Sequence, residues 1–281
     1  MIRLPGFLRK VRQALRIRTA TACRDCDYIP KADRAGEVVN HEGNEVQVMH
    51  NGLLVSAGGY HKGMMTSIIK DLRGHHEPQE EKVFYEVLKR ISPGGTMIEL
   101  GSFWAYYSMW FQKEVANAKN FMVEPIKEKM EEGMRNFQLN NMEGEFMQGF
   151  VGDRYLEETD FRDWDGTVYH LPQISLDWLL EDKGIGEVDI LHSDIQGAEY
   201  AMLKGAEKSI KANKIKYIFV STHGNSHKLC QEFLAARGFH TIAEHTIKES
   251  YSADGLIVAA APFLKDKFEV KISKRKNYGI I

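Results

Sequence analysis

A handful of side chains sit where their types and spacing could do chemistry. Glu99-Leu100-Gly101-Ser102 closes a short apolar run, and a glycine there lets the backbone come close to a ligand. An acid beside such a turn suits the ammonium of an amino-acid moiety better than a phosphate. Phe103-Trp104-Ala105 follows in place of the later glycines of G-x-G-x-x-G, so a pyrophosphate has little room and nicotinamide chemistry loses ground. Glu124 ends the next apolar run, 25 residues beyond Glu99, where a carboxylate can accept hydrogen bonds from both hydroxyls of a ribose. Gly149-Phe150-Val151-Gly152-Asp153 could border an adenine, with Asp153 accepting from its exocyclic amine.

Asp194 and His223 are the candidates for proton handling. An imidazole with a pKa of about 6.5 can take the proton of a hydroxyl, so His223 is read as the base and Asp194 as the group that orients it or the acceptor. The two could instead hold a divalent ion that acidifies the hydroxyl. Two donors of mixed type support that reading less well, and no metal ligand is assigned. Glu199 lies in the first turn of an expected helix, where an acid favours the helix dipole, and receives no chemical role. Trp104, Tyr106, Tyr107 and Trp110 read as helix packing, while His75 and His76 fall in a loop near the site.

The elements that must position these groups alternate regularly. Strands are expected at 96–101, 120–124, 145–148, 188–194, 216–221, 239–242 and 255–260, with helices at 104–116, 126–140, 176–180, 200–210 and 227–237. Such a β-α repeat implies an α/β fold: a mostly parallel sheet with helices on both faces, whose ligands sit beyond the carboxyl ends of the strands. The last two strands are joined by a loop alone, which suits an antiparallel hairpin at one edge. A helix preceded by Pro78 and stopped at Ser92-Pro93-Gly94-Gly95 leads into this domain, and residues 153–172 read as a polar, acidic insertion.

Residues 1–76 form an N-terminal extension. Val46–His50 and Leu53–Ser56 flank Asn51-Gly52, a strong hairpin signal, and residues 58–63 read as a glycine-rich loop. The first eighteen residues hold six Arg or Lys and no acid, interleaved with apolar residues as in a basic amphipathic helix. That helix could lie on an anionic membrane surface, a reading second to docking on its own domain. The main domain is expected over 77–263, followed by a basic tail over 264–281.

Composition is that of a globular protein, with 43% hydrophobic and 27% charged residues. A formal net charge of −2 gives no overall attraction to polyanions, so nucleic acid is not expected as a partner. The chain lacks the apolar run of a secretory signal or a membrane span, and its three cysteines cannot form a fully paired disulfide framework; both point to the cytoplasm. Cys23-Arg-Asp-Cys26 has the spacing of a zinc knuckle, but His41 or His50 would have to complete it. No motif speaks to oligomeric state.

From about Glu77 to Ala261 the sequence resembles the FkbM-type methyltransferases. The resemblance rests on Met97–Ser102, Val123-Glu124-Pro125, Asn136-Phe137-Gln138-Leu139-Asn140 and Ile174-Ser175-Leu176-Asp177. Its most specific block is Asp194-Ile195-Gln196-Gly197-Ala198-Glu199 with Leu203-Lys204-Gly205-Ala206, in which Gln196 replaces the family's usual acid. It implies a class I, Rossmann-like methyltransferase fold, S-adenosylmethionine as donor, and O-methylation of a hydroxyl on a sugar, polysaccharide or natural product. Cofactor contacts would fall on Glu99, Gly101, Ser102, Glu124 and Asp153, with Asp194 near a small-molecule or glycan acceptor. The alternatives are a non-catalytic module that binds a nucleoside ligand or partner on the same fold, and, behind it, a nicotinamide oxidoreductase.

Overall fold

The computed structural model describes residues 6–163 and 165–276. The first five residues of the basic amphipathic segment and the last five of the tail lie outside the described residues. The chain opens with α1 (Gly6–Ala20), then an antiparallel sheet of β1 (Val38–His41), β2 (Asn44–Val48) and β3 (Leu54–Ser56), then α2 (Lys62–Asp71). The β2–β3 hairpin turns at Asn51-Gly52 as its sequence requires: Gly52 has φ +83°, and the Asn51 carboxamide accepts the Leu53 N–H at 3.2 Å. Helix α2 replaces part of the expected glycine-rich loop. Met65, Ile68 and Ile69 recur at helical spacing and are buried, and this packing outweighs the nearby glycines.

α3 (Pro78–Leu88) leads into the main domain: β4 (Thr96–Leu100), α4 (Tyr106–Glu114), β5 (Lys119–Glu124), α5 (Lys127–Leu139) and β6 (Glu145–Gln148). β7 (Phe150–Val151), β8 (Leu156–Arg162) and β9 (Val168–Ile174) then make a second small sheet in the order β7-β9-β8. The polar, acidic insertion is thus a β-hairpin; most of β8 is exposed, which is why no apolar alternation announced it. α6 (Leu176–Asp182), β10 (Val188–Ser193), α7 (Glu199–Lys204), α8 (Glu207–Lys211), β11 (Ile215–Thr222), α9 (Ser226–Ala236), β12 (His240–His245) and β13 (Gly255–Ala260) complete the chain.

The helix expected over 200–210 is broken at Gly205 for a packing reason. A Cβ there would lie 2.4 Å from the Gly152 carbonyl oxygen. Asp177 then starts the second piece, accepting from the N–H groups of Lys208 (3.0 Å) and Ser209 (2.8 Å) in the first turn of α8. Ser175 caps α6 in the same manner, accepting the Trp178 N–H.

The large sheet has the order β12-β13-β11-β10-β4-β5-β6. β6, β5, β4, β10 and β11 run parallel, and β13 is antiparallel to both of its neighbours. The chain leaves β4 toward β5 on one side, and β10 leads to β11 on the other. The carboxyl ends of β4 and β10 therefore form the switch point at which such sheets bind ligands. One apolar core lies on each face: Phe84, Met97, Trp110 and Phe219 belong to the one, and Ile98, Leu191, Leu203 and Ile218 to the other.

The N-terminal extension is fastened to this domain by buried polar side chains. Asn136 and Asn140 stand one turn apart on α5 and hold the edge of β3. The Asn136 carboxamide accepts the Ser56 N–H (2.9 Å) and donates to the Trp104 carbonyl (3.0 Å), while that of Asn140 bonds both the N–H and the carbonyl of Leu54 (2.9 and 2.7 Å). Glu81, fully buried in α3, accepts the N–H groups of His76 (2.7 Å) and Glu77 (3.0 Å) and pairs with the rings of His75 and His76. Cys23 and Cys26 are buried free thiols. His41 lies on β1 and His50 bonds the Tyr106 hydroxyl (2.8 Å). Among the described residues no helix is long and apolar enough to cross a membrane.

Burial opposes the charge on Glu81, but His75 and His76 outweigh it and hold its carboxyl well below 4.5. That depression stabilises the fold at neutral pH and is lost as pH falls through 4.5 and below. Glu81→Gln is therefore expected to cost about 3 kcal/mol at neutral pH, as for breaking a buried ion pair. In urea unfolding followed by circular dichroism, the gap from wild type should close as the pH falls below 4.5. An equal gap at acid and neutral pH would refute the role.

Candidate active site

The turn after β4 is wedged against the end of β10. Gly101 has φ +76°, and a Cβ on it would lie 2.0 Å from the Asp194 carbonyl oxygen. The sequence suggests that this glycine makes room for a ligand; its first duty is to let two strand ends touch. The Asp194 N–H in turn donates to the Leu100 carbonyl (2.9 Å). Phe103 and Ala105 follow with φ +41° and +55°, a conformation non-glycine residues rarely adopt. Two bonds hold this tight turn: the Ala105 N–H donates to the Ser102 carbonyl (2.6 Å), and the Phe103 N–H to Glu124 (3.1 Å).

Glu124 is buried at the end of β5 and spends one bond on each oxygen, the second from the Ile126 N–H (3.1 Å). Burial raises its carboxyl above the ordinary range. Ser102 is buried with its hydroxyl unpartnered among the described residues, as is Ser193 at the end of β10. Glu99 is as buried as Ser102 and Glu124, at 3% exposed, and accepts the Ser108 N–H (3.0 Å) in the first turn of α4. Burial pushes it up to about 7. Asp153 pairs with Lys204 (3.6 Å) and Arg154 (3.7 Å). The aromatic residues of α4 and its turn are buried packing, as their spacing implies, and Tyr60 of the N-terminal extension lies flat on Trp104 with centroids 4.4 Å apart.

Asp194 and His223 come together, as their places at adjacent strand ends imply. His223 Nε2 lies 3.5 Å from Asp194 Oδ1 and 2.8 Å from Asp254 Oδ1, while Nδ1 lies 2.7 Å from Glu199 Oε1. Burial works against a charge on His223, but the bonds to Asp254 and Glu199 prevail and raise it to about 10. The ring is thus an imidazolium at neutral pH, donating from both nitrogens. Asp194 is pushed up to about 7 by burial and by the neighbouring Asp254. At neutral pH it can hold or release a proton.

Asp254, Glu199 and Glu80 were not assigned chemistry from sequence. Asp254 reaches the site because Gly255 pairs with Thr222; a Cβ on Gly255 would lie 2.5 Å from the Thr222 hydroxyl, so the start of β13 is pressed against the end of β11. Glu80 enters from α3, bonded to His192 (2.8 Å) and to the Ser221 hydroxyl (3.2 Å). The run Glu77 to Glu81, three acids in a first helical turn, reads as a dipole effect. The only signal that could have separated it was its position opposite two histidines.

Residues 86–241 match a family model described as the methyltransferase FkbM domain. No curated protein matches the chain. Among solved structures it is similar to TrmK of M. capricolum in complex with S-adenosyl-homocysteine, at 11% identity and a TM-score of 0.44 over 68% of this chain and 71% of that one. It is also similar to a ribosomal protein L11 methylase from Lactobacillus delbrueckii subsp. bulgaricus, at 12% identity and 0.43 over 66% and 80%. A precorrin-6y C5,15-methyltransferase from Geobacter metallireducens GS-15 gives 14% and 0.41 over 63% and 87%.

The contact between Gly101 and Asp194 leaves no space for a methyl group. Gly101→Ala should lower stability by about 2 kcal/mol or more, through both the clash and the positive φ. Denaturant unfolding of that variant checks this, with Gly94→Ala as a control: it also has positive φ (+83°) but nothing near its Cβ. Equal losses in the two would show that backbone conformation alone, and not the contact, is responsible.

Proposed function

Because the chain belongs to the FkbM methyltransferase family and takes its methyl group from S-adenosylmethionine, we propose that it O-methylates a hydroxyl of a sugar, polysaccharide or natural product, in a crevice at the ends of β4, β5, β10 and β11. The observation that carries this is the convergence of Asp194 and His223 beside the β4 turn, a proton-handling pair at the switch point of the sheet. Transfer to a hydroxyl calls for such a pair because an alcohol is too weak an acid to shed its proton unaided at neutral pH.

The residues fit the cofactor. The unpartnered hydroxyls of Ser102 and Ser193 are buried polar groups that a bound amino-acid moiety would satisfy. Glu124 uses one lone pair on each oxygen and keeps others for ribose hydroxyls. The loop from Gly149 to Asp153 would border the adenine. Glu99 supports from below, by holding the first turn of α4. When bound, S-adenosylmethionine supplies an electrophilic methyl group on a sulfonium.

The chain's own part is to place the acceptor in line and receive its proton. Whereas the sequence reading makes His223 the base, its raised pKa leads us to take Asp194 as the proton acceptor, with the His223 imidazolium neutralising the negative charge that develops on the acceptor oxygen. The Asp194 carboxylate would take the O–H proton as the acceptor oxygen gains the methyl group, whose former bonding pair would stay on the donor's sulfur. Asp254 and Glu199 keep the imidazolium charged and oriented.

Isothermal titration should show S-adenosylhomocysteine binding and no response to NADH. With a hydroxyl acceptor found by mass-shift screening of glycans and small metabolites, Asp194→Asn should lower turnover by roughly 100-fold or more while S-adenosylhomocysteine affinity holds. Undiminished turnover in that variant would refute its role, and absence of S-adenosylhomocysteine binding would overturn the whole reading.

A further inference from the structure

The cluster at His223 holds more negative charge than one imidazolium can balance. Asp194, Asp254 and Glu199 all face the ring. Three donors of the cluster also converge: one atom each from Asp194, His223 and Asp254 lies within 4.8 Å of the others. Around an octahedral cation with bonds of about 2.1 Å, adjacent donors stand about 3.0 Å apart. The ring nitrogen is 2.8 Å from one carboxylate oxygen and 3.5 Å from the other, which is already close to that arrangement.

Two further observations point the same way. Asp194 Oδ1 faces this space, is buried, and has no hydrogen-bond partner among the described residues. Glu199 is wholly buried and fixed by the Gly197 N–H (2.7 Å), and it takes the Nδ1–H of His223. A carboxylate behind a histidine sets its tautomer and presents the other nitrogen to a metal. Here Nε2 is the nitrogen presented, and it points at Asp254 and Asp194.

We propose that Asp194, His223 and Asp254 form a binding site for a divalent cation of the Mn2+ or Mg2+ class, with Glu199 as the positioning residue behind the histidine. Two carboxylates and one imidazole are a hard donor set that suits Mn2+ and Mg2+ better than a thiolate-seeking metal. The cation takes the place of the proton that Nε2 shares with Asp254, so the ring coordinates as a neutral imidazole. Three protein donors leave positions open on the ion. On the reading of this crevice as the acceptor site, one of them takes the acceptor hydroxyl oxygen. The ion then replaces the imidazolium as the positive charge beside that oxygen; the hydroxyl proton still passes to Asp194, on the carboxylate oxygen that the ion leaves free, the oxygen's electron pair forms the bond to carbon, and the pair of the broken S–CH3 bond stays on sulfur.

The test measures binding apart from activity. Mn2+ is titrated into the full chain and free Mn2+ followed by electron paramagnetic resonance, with S-adenosylhomocysteine affinity and thermal unfolding recorded for each variant. Wild type should bind one Mn2+ per chain, with competition by Mg2+. Asp254→Asn should abolish saturable binding, and Glu199→Gln should weaken it by about 10- to 100-fold. Both should keep their S-adenosylhomocysteine affinity, which shows that the fold survives. No saturable Mn2+ binding by wild type, or binding unchanged by Asp254→Asn, overturns the site. Mn2+ binding without methyl transfer to any hydroxyl would sink the proposed reaction and leave the site standing. Methyl transfer without Mn2+ binding would do the reverse.

Discussion

A carboxylate taken out of water must be paired or hydrogen-bonded, and the first turn of α3 takes three of them inside at once. Glu81 is satisfied by His75, His76 and two backbone N–H groups, and so fixes the end of the N-terminal extension. Glu80 is satisfied by His192 and Ser221, on β10 and β11. Glu77 lies against the His76 ring, 3.5 Å from Nε2. A single helical turn therefore ties the extension to the two strands whose ends carry Asp194 and His223. The extension is part of the site's scaffold through this turn and through the asparagines of α5, which hold β3 as a neighbouring strand would.

The same concentration of acids sets the electrostatics of the crevice. Burial and mutual repulsion push Glu80, Glu99 and Asp194 up to about 7, while His223, held between Asp254 and Glu199, is driven up to about 10. All four shifts run upward and favour holding a proton: burial and repulsion raise the acids, while for the histidine the bonds to Asp254 and Glu199 overcome burial. A low-dielectric space with surplus negative charge stabilises whatever cation enters it, whether the proton of an imidazolium or a divalent ion, and places that charge beside the strand ends where the acceptor is proposed to sit.

The turn at Gly101 shows how tightly the cofactor side is drawn. Strand β4 ends against β10 with no room for a methyl group, and the next residues accept left-handed backbone to complete the turn. Glu124 holds that turn from β5 by taking the Phe103 N–H. The residues read as ligand contacts thus also build the turn at these strand ends. That double use explains why Glu99 can matter to the site while lying beneath the helix rather than in the open.

What the sequence determined by itself was whatever depends on neighbours along the chain. The alternation of apolar runs and helical stripes determined the α/β sheet. Asn51-Gly52 determined the hairpin, and the acids closing successive parallel strands marked one end of the sheet, where Asp194 and His223 meet. Tertiary structure decided what depends on partners from elsewhere. Asp254 was illegible because it immediately precedes a strand, and only the antiparallel course of β13 brings a beginning to the end where the parallel strands finish. Glu199 looked like a helix-dipole acid until His223 was placed 2.7 Å away. The β8–β9 hairpin and the break at Gly205 were hidden for the same reason: one is exposed and lacks an apolar period, and the other answers to a carbonyl 53 residues distant in sequence, Gly152. Periodicity records the burial of a face, whereas charge pairing and close backbone contact are set by chain segments that sequence order does not bring together.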